Sequence, residues 1–218
     1  GLDNIGAFDR NMQMKNGGYI FNFNKNEETI GEVKLNIGGM HNVENAIAAM
    51  SVCDLLNIDF ALVSNVMPHF KGVKRRFEYI IKNENVVFID DYAHHPEELK
   101  MLLQSAKALF YGKKISIVFQ PHLYSRTKDF AIQFAESLDI ADEVILLDIY
   151  PARELPIEGV SSEIILNEMS IPNKNILSKE GVLAWAKLSK FEVLITAGAG
   201  DIDQLVEPIK QSLLNNKI

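Results

Sequence analysis

The stretch "NVVFIDDYAHHPEELKMLLQSAKALFYGKKISIVFQPH", residues 85–122, decides the fold. It opens on a nearly continuous apolar run, "NVVFID", and closes on another, "KISIVF". Between them Leu99, Leu102, Leu103, Ala106 and Leu109 recur at steps of three and four, the spacing of one helical face. Strands that are apolar throughout are buried on both faces, and strands alternating with amphipathic helices build a mostly parallel sheet. The rhythm extends in both directions. "FEYII" precedes it; helix "TKDFAIQFAESL", strand "EVILLDI", helix "SSEIILNEM", extended "KNILS", helix "EGVLAWAKL", strand "FEVLITAG" and helix "DIDQLVEPIKQSLL" follow. Residues 77–218 are predicted to form an α/β domain with a doubly wound, mostly parallel, Rossmann-like sheet.

The first 76 residues have another character. "GYIFNFN" and "TIGEVKLNI" alternate enough to suit half-exposed antiparallel strands. "HNVENAIAAMSVCDLLN" predicts a helix whose stripe is Val43, Ala46, Ile47, Met50, Cys53 and Leu56, with Asn57 as its stop. A shorter helix, "DFALVSNVMPHF", ends near Pro68. Cys53, the single cysteine, cannot form an internal disulfide and is expected as a packed core thiol. The segment reads as the tail of a domain, and the absence of an initiator Met at Gly1 suggests a piece of a longer chain.

A chain of 218 residues with 47% hydrophobic and 23% charged residues has enough apolar material for a globular core. A formal charge of -7 argues against a nucleic-acid binder that relies on neutralising phosphates, although "KGVKRR", residues 71–76, is locally basic. No apolar run is long enough to span a membrane and no secretory pattern opens the chain, so no membrane partner and a cytoplasmic location are expected.

In open parallel sheets, ligands bind beyond the carboxyl ends of the strands. The polar clusters "DDYAHHP", "QPHLYSRT", "YPARELPIEG" and "GAGD" all follow apolar strands and so collect on that rim. Pro96 with Glu97 and Glu98 suits a helix start, but this does not account for Asp90, Asp91, Tyr92, His94 and His95 at one strand end. Imidazoles and carboxylates there would also suit a metal, yet no "HEXXH" or facial-triad spacing is present, and none is assigned. "TAGAGD" fits either a tight turn or an anion contact, and no "GK[ST]" follows it. In "GGMHNVENAIAAM", residues 38–50, Asn42 and Asn45 start a helix three residues apart, and a carboxamide both donates and accepts, as an adenine edge requires. A helix cap and a solvated side chain would use the same two residues.

Together, "GMHNVENAIAA", "FKGVKRRFE", "DDYAHHPEE", "FQPHLYSRT" and "TAGAGDI" resemble, in order and spacing, the Mur ligase family of ATP-dependent amide-forming enzymes of peptidoglycan assembly. The likeness spans essentially the whole chain. Within the family it is greatest to the branch that joins L-alanine to UDP-N-acetylmuramate; the branch that reattaches recycled peptide differs at the "QPHLYSRT" loop. The resemblance implies that residues 1–76 are the carboxyl-terminal portion of a central ATPase domain and residues 77–218 an amino-acid-binding domain. It implies ATP and Mg2+ as cofactors, with the phosphate loop and the magnesium ligands upstream, so that this part alone would be inactive. It further implies that His41, Asn42, Asn45, Arg75, Arg76 and Asp91 meet the nucleotide, and that Tyr92, His94, His122 and Arg126 face the muramoyl carboxylate and the incoming L-alanine. His94, His122 and Arg126 would carry the catalytic roles. Leu123 departs from the family pattern, which often places arginine there.

Overall fold

A computed structural model of the 218-residue chain describes residues 7–26 and 28–215. The chain separates into two compact units, Gly1–Val73 with Ala108–Tyr111 and Lys74–Lys107 with Gly112–Ile218. Arg75 and Arg76 therefore belong to the second unit.

The first unit holds an antiparallel meander of β1 (Ala7–Lys15), β2 (Gly18–Lys25) and β3 (Glu28–Leu35), followed by α1 (Met40–Leu55) and α2 (Phe60–Val66). On β2, Tyr19, Phe21 and Phe23 recur with the two-residue period of a strand and pack with Val33, Leu35, Val43, Ala46 and Met50 in one core. Strand β1 lies outside the two extended segments expected. Its register on β2 slips between Arg10 and Gln13, which breaks the alternation that reveals a strand. Helix α1 stops at the expected residue: Asn57 takes φ 57°, its N–H reaches Asp54 O at 2.9 Å, and Ile58 N–H reaches Cys53 O at 3.0 Å. These two bonds form a Schellman closure, which needs a residue tolerant of left-handed backbone. The stripe on α1 is buried at Val43, Ala46 and Met50 but fades beyond them, with Cys53 half-buried and Leu56 67% exposed. Cys53 is thus not the packed core thiol expected, because helical spacing names a face and not the length of surface covering it.

The second unit contains β4 (Glu78–Lys82), β5 (Val87–Asp91), all but the last two residues of α3 (Pro96–Leu109), β6 (Ile115–Phe119), α4 (Tyr124–Asp129), α5 (Ala131–Leu138), β7 (Glu143–Leu146), α6 (Glu163–Glu168), β8 (Lys174–Ile176), α7 (Lys179–Leu188), β9 (Val193–Ala197) and α8 (Val206–Asn215). Its six strands lie in the order β4-β5-β9-β6-β7-β8, with β4 antiparallel to β5 and all other pairs parallel. Every residue of β5, β6 and β9 is buried, as the unbroken apolar runs require. Two helices differ from expectation. The run "TKDFAIQFAESL" is two helices, which begin at Tyr124 and divide at Phe130, where φ is -121° and ψ 20°. The "DIDQL" start of the last helix is a 3-10 turn, Asp201–Leu205.

The register positions the rim. Asp91 and Phe119 both pair with Ala197, and Phe119 pairs with Leu146, so four strands end in one row. The segments that follow, 92–95, 120–123, 147–162 and 198–200, all leave from that edge.

Candidate functional site

The two adjacent acids that end β5 point to opposite tasks. Asp90 is buried, accepts from Thr196 Oγ1 at 2.6 Å and pairs with Arg75 Nε at 3.1 Å. Arg75 also donates to Gly198 O and lies 5.1 Å from the centre of the Tyr92 ring. Asp91 accepts the N–H of Phe77 through one carboxylate oxygen and that of Ala93 through the other, each at 2.7 Å. Burial pushes both carboxyls up to about 6, against the pull of these donors. Arg75 and Phe77 hold left-handed backbone, with φ of 58° and 48°, and the Asp91 bond to Phe77 N–H helps hold that turn.

The histidine loop is organised by Glu98. Its carboxylate accepts the N–H groups of His94, at 2.9 Å, and His95, at 3.1 Å. With Pro96 as the first helical residue, this is the reach-back of an N3 acid that caps α3. His95 turns its ring against Phe130, with centroids 5.1 Å apart, and serves packing. His94 instead faces the rim. Its Nδ1 lies 2.9 Å from Tyr92 O and 3.3 Å from a Glu98 carboxylate oxygen, and since both oxygens only accept, Nδ1 carries a hydrogen.

His94 and His122 have ring centroids 6.0 Å apart, and His122 stacks on Tyr150 at 5.7 Å. Burial foremost, then the positive charge of Arg126 and the neighbouring His94, lowers the His122 pKa and favours the neutral ring. His122 Nδ1 and Arg126 Nη1 are buried and have no hydrogen-bond partner among the described residues. Leaving a polar group in that condition costs about 1–3 kcal/mol. Two of the three such atoms among the described residues fall in this one strand-end cluster, the third being Ser212 Oγ on α8, and cost gathered at a strand end suits a surface shaped for something other than folding. Backbone strain gathers there as well. Apart from asparagines, the non-glycine residues at positive φ among the described residues are Arg75, Phe77, Leu123 and Ala152, all on or beside these rim segments.

The glycines of "TAGAGD" have a packing reason. A Cβ on Gly200 would lie 2.6 Å from Tyr150 Cγ and would collide with Gln120 Oε1. Gln120 Oε1 accepts the N–H of Ile202 at 2.9 Å, so the turn is closed from within. The tight-turn alternative describes this segment.

In the first unit, Gly39 takes φ 84°, and a Cβ there would meet the His41 ring at 2.7 Å. Asn42 is buried and its Nδ2 donates to Gly38 O at 2.7 Å, whereas Asn45 is exposed. The helix-cap role open to Asn42 is not taken; its side chain ties the preceding turn and retains its carbonyl oxygen as an acceptor. In the second unit Arg76 is exposed while Arg75 is used internally. Asp91 keeps a second lone pair on each oxygen. Among the described residues no group of three or more His, Cys, Asp or Glu is placed to hold a metal ion, and no helix is long and apolar enough to cross a membrane.

Sequence reading did not single out Tyr150, Ser125, Glu154 or Gln120. Tyr150 wedges between the His122 ring and Gly200, and its backbone pairs with Pro121 and Leu123. The only signal for these four was position: each follows an apolar strand on the ligand-binding edge.

Comparison with known proteins is consistent with this geometry. The family model of the Mur ligase, glutamate ligase domain, matches residues 75–202. A UDP-N-acetylmuramate--L-alanine ligase of Cytophaga hutchinsonii is 46% identical over 201 residues, covering 92% of this chain and 43% of that protein. The protein of the same description from Parabacteroides distasonis is 46% identical over 206 residues, covering 94% and 45%. A crystal structure of the UDP-N-acetylmuramate-alanine ligase of Thermotoga maritima superposes with a TM-score of 0.79 at 29% identity, covering 97% of this chain and 46% of that one. The chain spans less than half the length of the curated relatives it matches.

Proposed function

This chain belongs to the Mur ligase family, and from that premise we propose that it is the carboxyl-terminal part of an ATP-dependent ligase joining L-alanine to the carboxylate of UDP-N-acetylmuramate. Relatives of that description match it along nearly its whole length. The observation that carries the reading within the structure is the meeting of Tyr92, His94, His122 and Arg126 on one rim, with two buried polar atoms left unpartnered.

In this reading ATP supplies the phosphoryl group that makes the muramoyl carboxylate reactive as an acyl phosphate. Arg126 pairs with a substrate carboxylate through its unpartnered Nη1, a charge-assisted bond of the stronger kind. The imidazole of His94, with its lone pair on Nε2, takes the proton that the amine of alanine loses as it attacks the acyl carbon, whose bond to the phosphate oxygen breaks to release inorganic phosphate. Neutral His122 orients substrate through Nδ1, and the exposed Tyr92 ring borders the same space. Asp91 would accept a ribose hydroxyl, Asn42 and Asn45 would meet the adenine edge beside His41, and Arg76 rather than the internally paired Arg75 would approach phosphate. The ligands of the accompanying Mg2+ and the phosphate loop we assign to the part of the relatives that this chain does not cover, and the activity to the cytoplasm. The test is ADP release by the full-length protein with UDP-N-acetylmuramate and a panel of amino acids. Release that depends on L-alanine supports the reading; release that requires a peptide in its place moves the protein to the peptide-recycling branch.

A further inference from the structure

The loop after β7 carries an acid that no role above uses. Glu154 accepts the hydroxyl of Ser125 on one carboxylate oxygen, at 2.5 Å, and the backbone N–H of Ser125 on the other, at 3.0 Å. Ser125 is the second residue of α4 and Arg126 the third, so the clamp closes one residue from the guanidinium-bearing position. Two bonds from one carboxylate to one residue define both its place and its rotation, as a single contact would not. The segment supplying the acid is itself braced. Glu154 N–H reaches Pro151 O at 2.9 Å, Tyr150 N–H reaches Pro121 O at 2.8 Å, and Leu123 N–H reaches Tyr150 O at 2.9 Å. The Ser125 hydroxyl and amide hold the Glu154 carboxyl below the usual glutamate range, so it is charged at neutral pH. Its charge also acts on His122 in opposition to that of Arg126.

We propose that Glu154, through Ser125, is a positioning residue for Arg126 and His122, and thereby sets the affinity of the rim for the carboxylate-bearing substrate that Arg126 meets. The identification of that substrate as the amino acid rests on the ligase reading.

The test uses the full-length protein with Glu154→Ala, Glu154→Gln and Ser125→Ala. In Glu154→Ala the KM for L-alanine is expected to rise about tenfold, while the KM for ATP stays within about twofold. Glutamine can accept from the Ser125 amide and donate to its hydroxyl, so Glu154→Gln should restore most of the loss. Ser125→Ala, which keeps the amide bond, should fall between. Amide hydrogen exchange at Ser125 should quicken about tenfold in Glu154→Ala with the Val118 amide of β6 unchanged, showing an intact sheet. An unchanged KM for L-alanine, an equal rise in both KM values, or no rescue by glutamine would overturn the proposal. If the parent protein shows no alanine-dependent ADP release, the ligase reading has failed; exchange at Ser125 then still decides whether the clamp exists, and an unaltered rate refutes it.

Discussion

Both rims of the six-stranded sheet carry buried and paired charge, and they leave it in different states. On the amino side, Asp142 accepts from Lys107 at 2.6 Å and from Ile115 N–H at 2.7 Å, while Glu143 takes Lys114 at 2.9 Å and the Ser116 hydroxyl at 2.8 Å. Each acid there is opposed foremost by desolvation, yet hydrogen bonds and lysine charge together outweigh it and hold the acid below its usual range. On the carboxyl side Glu154 and Asp201 are also held below their usual range, but Asp90 and Asp91 are pushed up to about 6, His122 is pushed down, and His122 Nδ1 and Arg126 Nη1 find no partner among the described residues. Polar residues at a strand end do not by themselves carry the proposed site; the unsatisfied ones there do.

The largest expected break in this contrast is Arg126→Ala in the full-length protein. Truncating one member of a desolvated charge pair costs about 2–5 kcal/mol, so kcat/KM for the amino acid should fall roughly 30- to several-thousand-fold. The same assay on Lys107→Ala, at the satisfied rim, should stay within about twofold, with no more than ~1 kcal/mol of stability lost. Comparable losses in both would erase the distinction.

Glycines sharpen it at the next level. Gly200→Ala forces a methyl into Tyr150 and Gln120, and should cost about 1–3 kcal/mol in chemical unfolding together with a loss of turnover as the His122 stack shifts. Gly112, before β6 on the other rim, has φ 80°, and a methyl added there would meet nothing within 4 Å. Gly112→Ala should therefore cost about 1–2 kcal/mol from backbone strain alone and spare turnover. Turnover lost equally in both would sink the comparison.

How far this was legible in the sequence follows from what kind of information each feature uses. The alternation of strands and helices in the second unit was readable because β5, β6 and β9 are buried along their length and therefore apolar without interruption. β1 escaped because a register slip hides its alternation, although Asn16-Gly17, both at positive φ, form the two-residue turn that such a dipeptide signals. The break at Phe130 and the 3-10 turn at Asp201 depend on tertiary closure, which periodicity does not report. Tyr92, His94, His122 and Arg126 were legible through a family resemblance and are brought together on one rim. Glu98 was legible as part of a helix start with Pro96, and it is one; the supports Tyr150 and Glu154 were not, because each works through a backbone group whose position exists only in the fold.

A further expected effect is in stability against pH. Burial raises the Asp91 carboxyl to about 6, from 3.8. An acid whose folded value is raised contributes stability that is complete below about pH 4 and is lost as pH rises through about 6. Asp91→Asn removes that titration, so parent stability measured relative to the variant should decline by on the order of 2 kcal/mol from about pH 4 to about pH 7. A difference that grows with pH would mean that the Phe77 and Ala93 donors, and not burial, dominate this carboxylate.

The most direct measurement is a crystal structure of the full-length protein with the alanyl product bound. The account predicts a product carboxylate within hydrogen-bond reach of Arg126 Nη1, with His122 Nδ1 also engaged by the ligand. A product seated elsewhere, with both atoms still unpartnered, would contradict it.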